Sequence, residues 1–251
     1  MAPLLLAATF SAQAQINVQG TSWGTFSNLS SCDNSGSDRD CRIVSTTANG
    51  ANTQVQWGST SSHTDFRDPS TLTARDLNIS AVTNAPGVTI GRLDWYNSAT
   101  LRLDSSLDVF SVRWTLGLNF TAPTGSDVTG SEQFALTIRN PINPTGDSVY
   151  GLSFTDLTNL GGSFSLNGVS VSNLRYQVVD GLGAGTSTFS NNIWYNPEYN
   201  NASLLIVADF STVATPVPEP ETYAMLLAGL GLLGFATRRR RAQKAPVLSP
   251  A

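Results

Sequence analysis

The chain has 251 residues, 40% of them apolar and 13% charged, with a formal net charge of −4. Its only lysine is Lys244, and acidic residues outnumber the arginines of 15–210, so a basic nucleic-acid-binding face is excluded. The apolar content excludes a disordered chain, and about 200 residues between two distinctive termini suit one large β domain.

At the N-terminus an apolar stretch over 4–10 is followed by Ala12 and Ala14. That is the A-x-A cleavage pattern of a secretory signal peptide. The positively charged front is missing, so 1–14 reads as a truncated signal cut after Ala14. An alanine-rich segment makes a poor first core strand.

The two cysteines, Cys32 and Cys41, bracket the turn-rich loop CDNSGSDRDC. In an oxidising compartment such a pair becomes a disulfide, contributing about 2–3 kcal/mol by closing a short loop. Two cysteines and one distant histidine cannot supply the four ligands of a zinc site. The loop also carries Asp33, Asn34, Asp38 and Asp40, and a second oxygen-rich cluster is Asn140, Asn143 and Asp147. Both suit calcium, which takes oxygen ligands, but neither has EF-hand spacing. Ordinary turn chemistry, in which Asp and Asn bond their own backbone, is the preferred reading of both. No cofactor is therefore expected, with calcium as the one candidate ion.

Strand patterns follow one another over 53–57, 71–77, 88–95, 107–120, 134–138, 149–154, 164–166, 169–179 and 204–210. The clearest is 107–120, where Phe110, Val112, Trp114, Leu116, Leu118 and Phe120 recur with the two-residue period of a half-buried strand. Turn signals such as Pro86-Gly87, Pro144 to Gly146 and Gly181 to Gly185 separate the strands. No part of the body keeps a helical period. The fold class is all-β: an antiparallel, jelly-roll-like sandwich over 15–210, with a C-terminal hydrophobic helix and the short N-terminal signal segment.

Catalytic signatures are sparse. His63, with Asp65 two residues on, is the only histidine, and no G-x-S-x-G elbow accompanies it. A glycosidase needs two carboxylates at a set separation. Glu132, Glu198 and fourteen aspartates offer many pairings that sequence cannot sort. Trp95-Tyr96 and Trp194-Tyr195 are adjacent aromatic pairs near turns. One member of each is expected to point outward, and these four residues are the candidates for stacking on sugar rings. Trp114, inside the long alternating strand, is expected in the core.

Residues 211–217 read as an extended linker. Then come Pro218, Glu219 and Pro220, an uncharged apolar run over 223–237, the cluster Arg238, Arg239, Arg240 and Arg241, and a tail over 242–251. The run has the composition of a transmembrane helix, and four arginines hold its end on the cytoplasmic side. At ~1.5 Å per residue it reaches only ~22 Å against a ~30 Å hydrocarbon core, and Gly229, Gly231 and Gly234 weaken it further.

The order Pro-Glu-Pro, short apolar helix and arginine cluster over 218–241 resembles the PEP-CTERM sorting signal. The resemblance implies an exported protein of a bacterium that makes extracellular polysaccharide, with an exosortase-type processing enzyme as partner. It also implies transient anchorage in the inner membrane before delivery to the cell surface or beyond. The body resembles the choice-of-anchor β domains, most closely the K type, through QVQWGST (54–60), VTIGRLDWYNSAT (88–100) and LTIRNPINPTGDSVYGLSF (136–154). That family has no established activity. The expected function is a non-catalytic structural or binding β-sandwich of the envelope or extracellular matrix, associated with exopolysaccharide. The runner-up is a secreted β-sandwich hydrolase, of the glycoside hydrolase type, acting on matrix polysaccharide.

Overall fold

The computed structural model describes residues 15–30, 41–58, 69–98, 109–124, 128–141, 145–153, 166–181, 183, 185–213 and 220–242. The chain divides into two compact units, 1–213 and 214–251. The expected signal segment, Cys32, Asp33, Asp38, Asp40, His63, Asn143, Pro218 and Glu219 lie outside the described residues.

Among the described residues the first unit holds thirteen strands in two antiparallel sheets. In chain order they are β1 (Asn17–Ser30), β2 (Arg42–Ser45), β3 (Asn52–Trp57), β4 (Ser70–Ala74), β5 (Leu77–Val82), β6 (Val88–Asn97), β7 (Val109–Ala122), β8 (Val128–Arg139), β9 (Asp147–Tyr150), β10 (Val169–Asp180), β11 (Thr188–Ser190), β12 (Ile193–Asn196) and β13 (Asn200–Thr212). The seven-stranded sheet runs β11-β12-β9-β8-β7-β1-β5, and the six-stranded sheet β10-β13-β6-β4-β3-β2.

The alternation of β7 is as expected. Phe110, Val112, Trp114, Leu116, Leu118 and Phe120 are all buried. Rings from the two sheets meet across one hydrophobic core. Trp57 of β3 lies 5.7 Å from Phe110 of β7, Trp95 of β6 lies 5.0 Å from Trp194 of β12, and Phe120 lies 6.1 Å from Phe210 of β13. Edge-on and tilted arrangements of this kind add to the apolar area the rings remove from water.

Several strand expectations change. The segment 71–77 is not one strand: it breaks at Arg75-Asp76, so β4 joins the six-stranded sheet and β5 the seven-stranded one. The final strand runs to Thr212, because Ser211 and Thr212 pair with Ser170 and Val169 of β10, which moves the end of the domain past 210. A further change is β1, which, like β2, β11 and β12, has no counterpart in the sequence reading. Its inner positions include Gly20, Ser22 and Gly24, set opposite Phe120, Leu118 and Leu116 of β7. Small residues there make room for large ones. A Cβ added to Gly24 would stand 2.5 Å from the Ala74 Cβ and 2.9 Å from the Trp114 Nε1.

The second unit contains α1 (Pro220–Ala242). Proline suits the first helical position, where its missing N–H is not needed. Met225, Leu226, Leu227, Leu230, Leu232, Leu233 and Phe235 are all more than half exposed. No described helix is long and apolar enough to cross a membrane. The expected span 223–237 falls short of that length and apolarity. The apolar run is confined between Glu221 and Arg238 and interrupted by three glycines, so any longer stretch takes in charge.

Candidate functional site

The strongest concentration of buried polar chemistry lies where β12 turns into β13. Only Pro197, Glu198 and Tyr199 separate these strands, yet β12 belongs to one sheet and β13 to the other. Tyr199 takes a left-handed φ of 60° to make the turn. Asn97, Asn196 and Asn200 are fully buried around it. Asn97 Nδ2 donates to the Asn196 carbonyl at 2.8 Å. Asn200 Nδ2 donates to Asn196 Oδ1 at 2.9 Å, and Asn196 Nδ2 donates to the Asn200 carbonyl at 3.2 Å. Ser70 Oγ extends the network through Asn97 Oδ1 and the Ser98 carbonyl. Short amides at this corner thus supply hydrogen bonds that a β-ladder cannot make while the chain crosses between sheets.

Two carboxylates enter the same corner. Asp147 opens β9 and pairs in register with Asn196. Gly146 lets the chain lie flush against the turn, since a Cβ there would stand 2.4 Å from the Asn196 carbonyl oxygen and 2.7 Å from the Pro197 Cα. Asp147 is fully buried, and Glu198 is 7% exposed. Trp57 Nε1 donates to Asp147 Oδ2 at 2.9 Å. Burial pushes the Asp147 carboxyl well above the usual range; the Trp57 bond opposes that shift, and the Glu198 charge adds to it. Burial alone raises Glu198 to about 7. Each carboxylate therefore holds a proton more readily than in water.

Of the calcium candidates, Asp147 is at this corner and Asn140 is buried just after β8, beside the start of β9. Glu132 is also buried, but it stands well along β8 opposite Leu116. The pairing of Asp147 with Glu198 was not legible in sequence, because the two are brought together by the β9–β12 ladder. The one signal was the run Asn196 to Asn201, dense in amides around a single glutamate.

The aromatic pairs divide cleanly. Trp95 and Trp194 point inward, 1% and 0% exposed, and pack edge to face. Neither ring is presented to solvent, so as sugar-stacking candidates both are corrected to core residues. Their neighbours Tyr96 and Tyr195 occupy the alternate, outward positions and are half-buried. Tyr96 lines a shallow depression of about 430 Å³ on the six-stranded sheet, with Gln54, Thr71, Arg75, Arg92 and Asp94. Burial alone would raise the Asp94 carboxyl, but hydrogen bonds from Arg92, Arg75 and Ser203 outweigh it and hold the group low. Both ion pairs are 2.6 Å long.

Cys41 is buried just before β2. Its expected partner Cys32 falls outside the described residues.

Residues 216–241 match the PEP-CTERM protein-sorting motif. The match takes in Pro218, Glu219 and Pro220, nearly all of α1, and Arg238 to Arg241. It implies an exported protein, processed by exosortase, that carries a C-terminal membrane-anchoring sorting signal. No curated protein matches the chain.

Proposed function

We propose that this exported, exosortase-sorted chain is an envelope or extracellular-matrix protein. Its body, a jelly-roll-like sandwich of the choice-of-anchor K kind, associates with exopolysaccharide without cleaving it. The observation that carries the reading is the sorting motif over 216–241, which directs a chain outward and specifies no chemistry. The placement of the carboxylates supports the non-catalytic part. Asp147 and Glu198 are covered by protein, whereas a hydrolase needs its acid and its base open to a sugar chain. The outer depression with Tyr96, Arg75 and Arg92 offers an aromatic face and fixed charges on an open surface, which suits binding along a polysaccharide. A glycoside hydrolase is the competing reading, because a carboxyl held near 7 is what a general acid requires.

The test is to incubate the purified full chain with exopolysaccharide from its own host, then measure co-sedimentation and the release of reducing ends. Co-sedimentation without release is expected. Release of reducing ends that stops with Glu198→Gln would replace this reading with the hydrolase. Failure to co-sediment would remove the polysaccharide as the partner.

A further inference from the structure

The β12–β13 corner buries more carboxylate oxygens than its own hydrogen bonds satisfy. Asp147 and Glu198 together present four carboxylate oxygens. Among the described residues only Asp147 Oδ2 receives a donor, the Trp57 indole. Asp147 Oδ1 and both Glu198 oxygens are buried without a hydrogen-bond partner among the described residues, as is Asn200 Oδ1 in the adjoining amide network. None of the described salt bridges reaches either carboxylate. Buried carboxylate oxygens left in this state are costly, and two neighbouring ones repel each other. Such a pair is relieved by a shared proton or by a cation.

We propose that Asp147 and Glu198 are ligands of a divalent cation of the calcium type that locks the corner between the two sheets. Three oxygens free of donors and two negative charges match a hard dication. Sulfur and imidazole, which softer transition metals prefer, are absent from the described corner. Among the described residues no three Asp, Glu, His or Cys side chains gather at one point, so neutral oxygens and water complete the shell. Calcium tolerates that mixed and irregular set, whereas magnesium demands a near-ideal octahedron. The consequence is structural. Asp147 stands on β9 of the seven-stranded sheet, and Glu198 stands on the turn that leads into β13 of the six-stranded sheet. A cation shared by both would tie the crossover to the strand beside it. With only two carboxylates the affinity belongs to the weak range of extracellular modules, about 10⁻⁴–10⁻³ M.

The experiment uses the full chain in detergent, stripped with EDTA. Calcium at about 10 mM should raise the melting temperature by about 3–10 °C. Terbium, the luminescent probe, should show emission sensitised through Trp57 that calcium displaces. Asp147→Asn and Glu198→Gln should each abolish the calcium-induced rise and weaken terbium emission at least tenfold. Both variants should stay folded in EDTA, since each removes buried charge at constant volume. The proposal is overturned if calcium leaves the wild-type melting temperature unchanged. It is overturned equally if the rise and the emission persist in both variants, which would put the cation elsewhere, such as the acidic loop over 32–41. A variant that unfolds in EDTA would refute the premise that the pair is under-neutralised.

Discussion

Raising the pH in EDTA should weaken the body of this protein, and Glu198→Gln should remove the part of that loss that Glu198 contributes. Burial holds the Glu198 carboxyl at about 7, against an ordinary value of 4.5. Between those values the folded state keeps a proton that the unfolded chain has released. Stability therefore falls as pH rises, beginning above the unfolded value and ending above about 7. Converted in full at about 1.36 kcal/mol per pH unit, the shift corresponds to about 3 kcal/mol. Partial solvent access to the turn lowers the figure to about 1–3 kcal/mol. Asp147, pushed upward by burial and by Glu198, adds loss in the same direction. Asp94 works with the opposite sign, its carboxyl held low, and so does Asp209 of β13, held low by hydrogen bonds from Asn173, the Gly87 N–H and Arg175. Their contributions are lost only in acid, as pH falls below the ordinary aspartate range, outside this window. The assay is urea unfolding followed by tryptophan fluorescence at intervals from about pH 5 to about pH 8.5. The wild type should lose about 1–3 kcal/mol more across that range than Glu198→Gln, which keeps only the loss from Asp147 and should be the more stable protein at the alkaline end. A wild-type profile that is flat or rising, or a variant that keeps the wild-type slope, would refute the reasoning.

Four further outcomes are expected. Trp57→Phe removes the one donor to Asp147, leaves a buried acceptor unsatisfied and loses ring volume; urea unfolding should report a loss of about 2–4 kcal/mol, and a change below about 0.5 kcal/mol would contradict the contact. Gly151→Ala should cost about 3 kcal/mol or more, because φ is +89° and the new Cβ would stand 2.1 Å from the Ala135 carbonyl oxygen; Gly50→Ala, at φ +79° with nothing within 4 Å, should cost only about 1–2 kcal/mol, and equal losses would show that the contact is irrelevant. Intact-mass measurement of exported protein, before and after reduction and alkylation, should find Cys32 and Cys41 joined; two free thiols in the folded protein would exclude the bond. Replacing Pro218, Glu219 and Pro220 with alanine in a host that has exosortase should leave the chain exported yet unprocessed, and maturation at the wild-type rate would mean that the triplet is not the recognition element.

How much was legible in the sequence follows from how local each signal is. The alternation of β7 is written in one strand, because its inner residues are large and apolar whatever they face. In β1 the inner residues are Gly20, Ser22 and Gly24, which are buried only because Phe120, Leu118 and Leu116 stand opposite. A pattern that depends on the partner strand cannot be seen in the strand itself. Arg75-Asp76 is a different case: Asp76 takes the position after Leu72 and Ala74 that the alternation requires to be apolar, and Leu77 falls out of phase, so the break where the chain changes sheets is marked in the sequence.

The sorting segment could be read without a fold because it works as a linear address: proline, glutamate, proline, an apolar run and four arginines, in that order. Its length could also be judged directly, since 15 residues at ~1.5 Å each fall short of a ~30 Å core. For the aromatic pairs, sequence establishes that neighbouring residues on a strand face opposite ways. Only the packing of the two sheets turns Trp95 and Trp194 inward and leaves Tyr96 and Tyr195 outside. The corner is tertiary in full. Fourteen aspartates and two body glutamates are equivalent on paper. Asp147 and Glu198 become special when the β9–β12 ladder brings them together and burial strips them of water, because a carboxylate's chemistry is set by its surroundings.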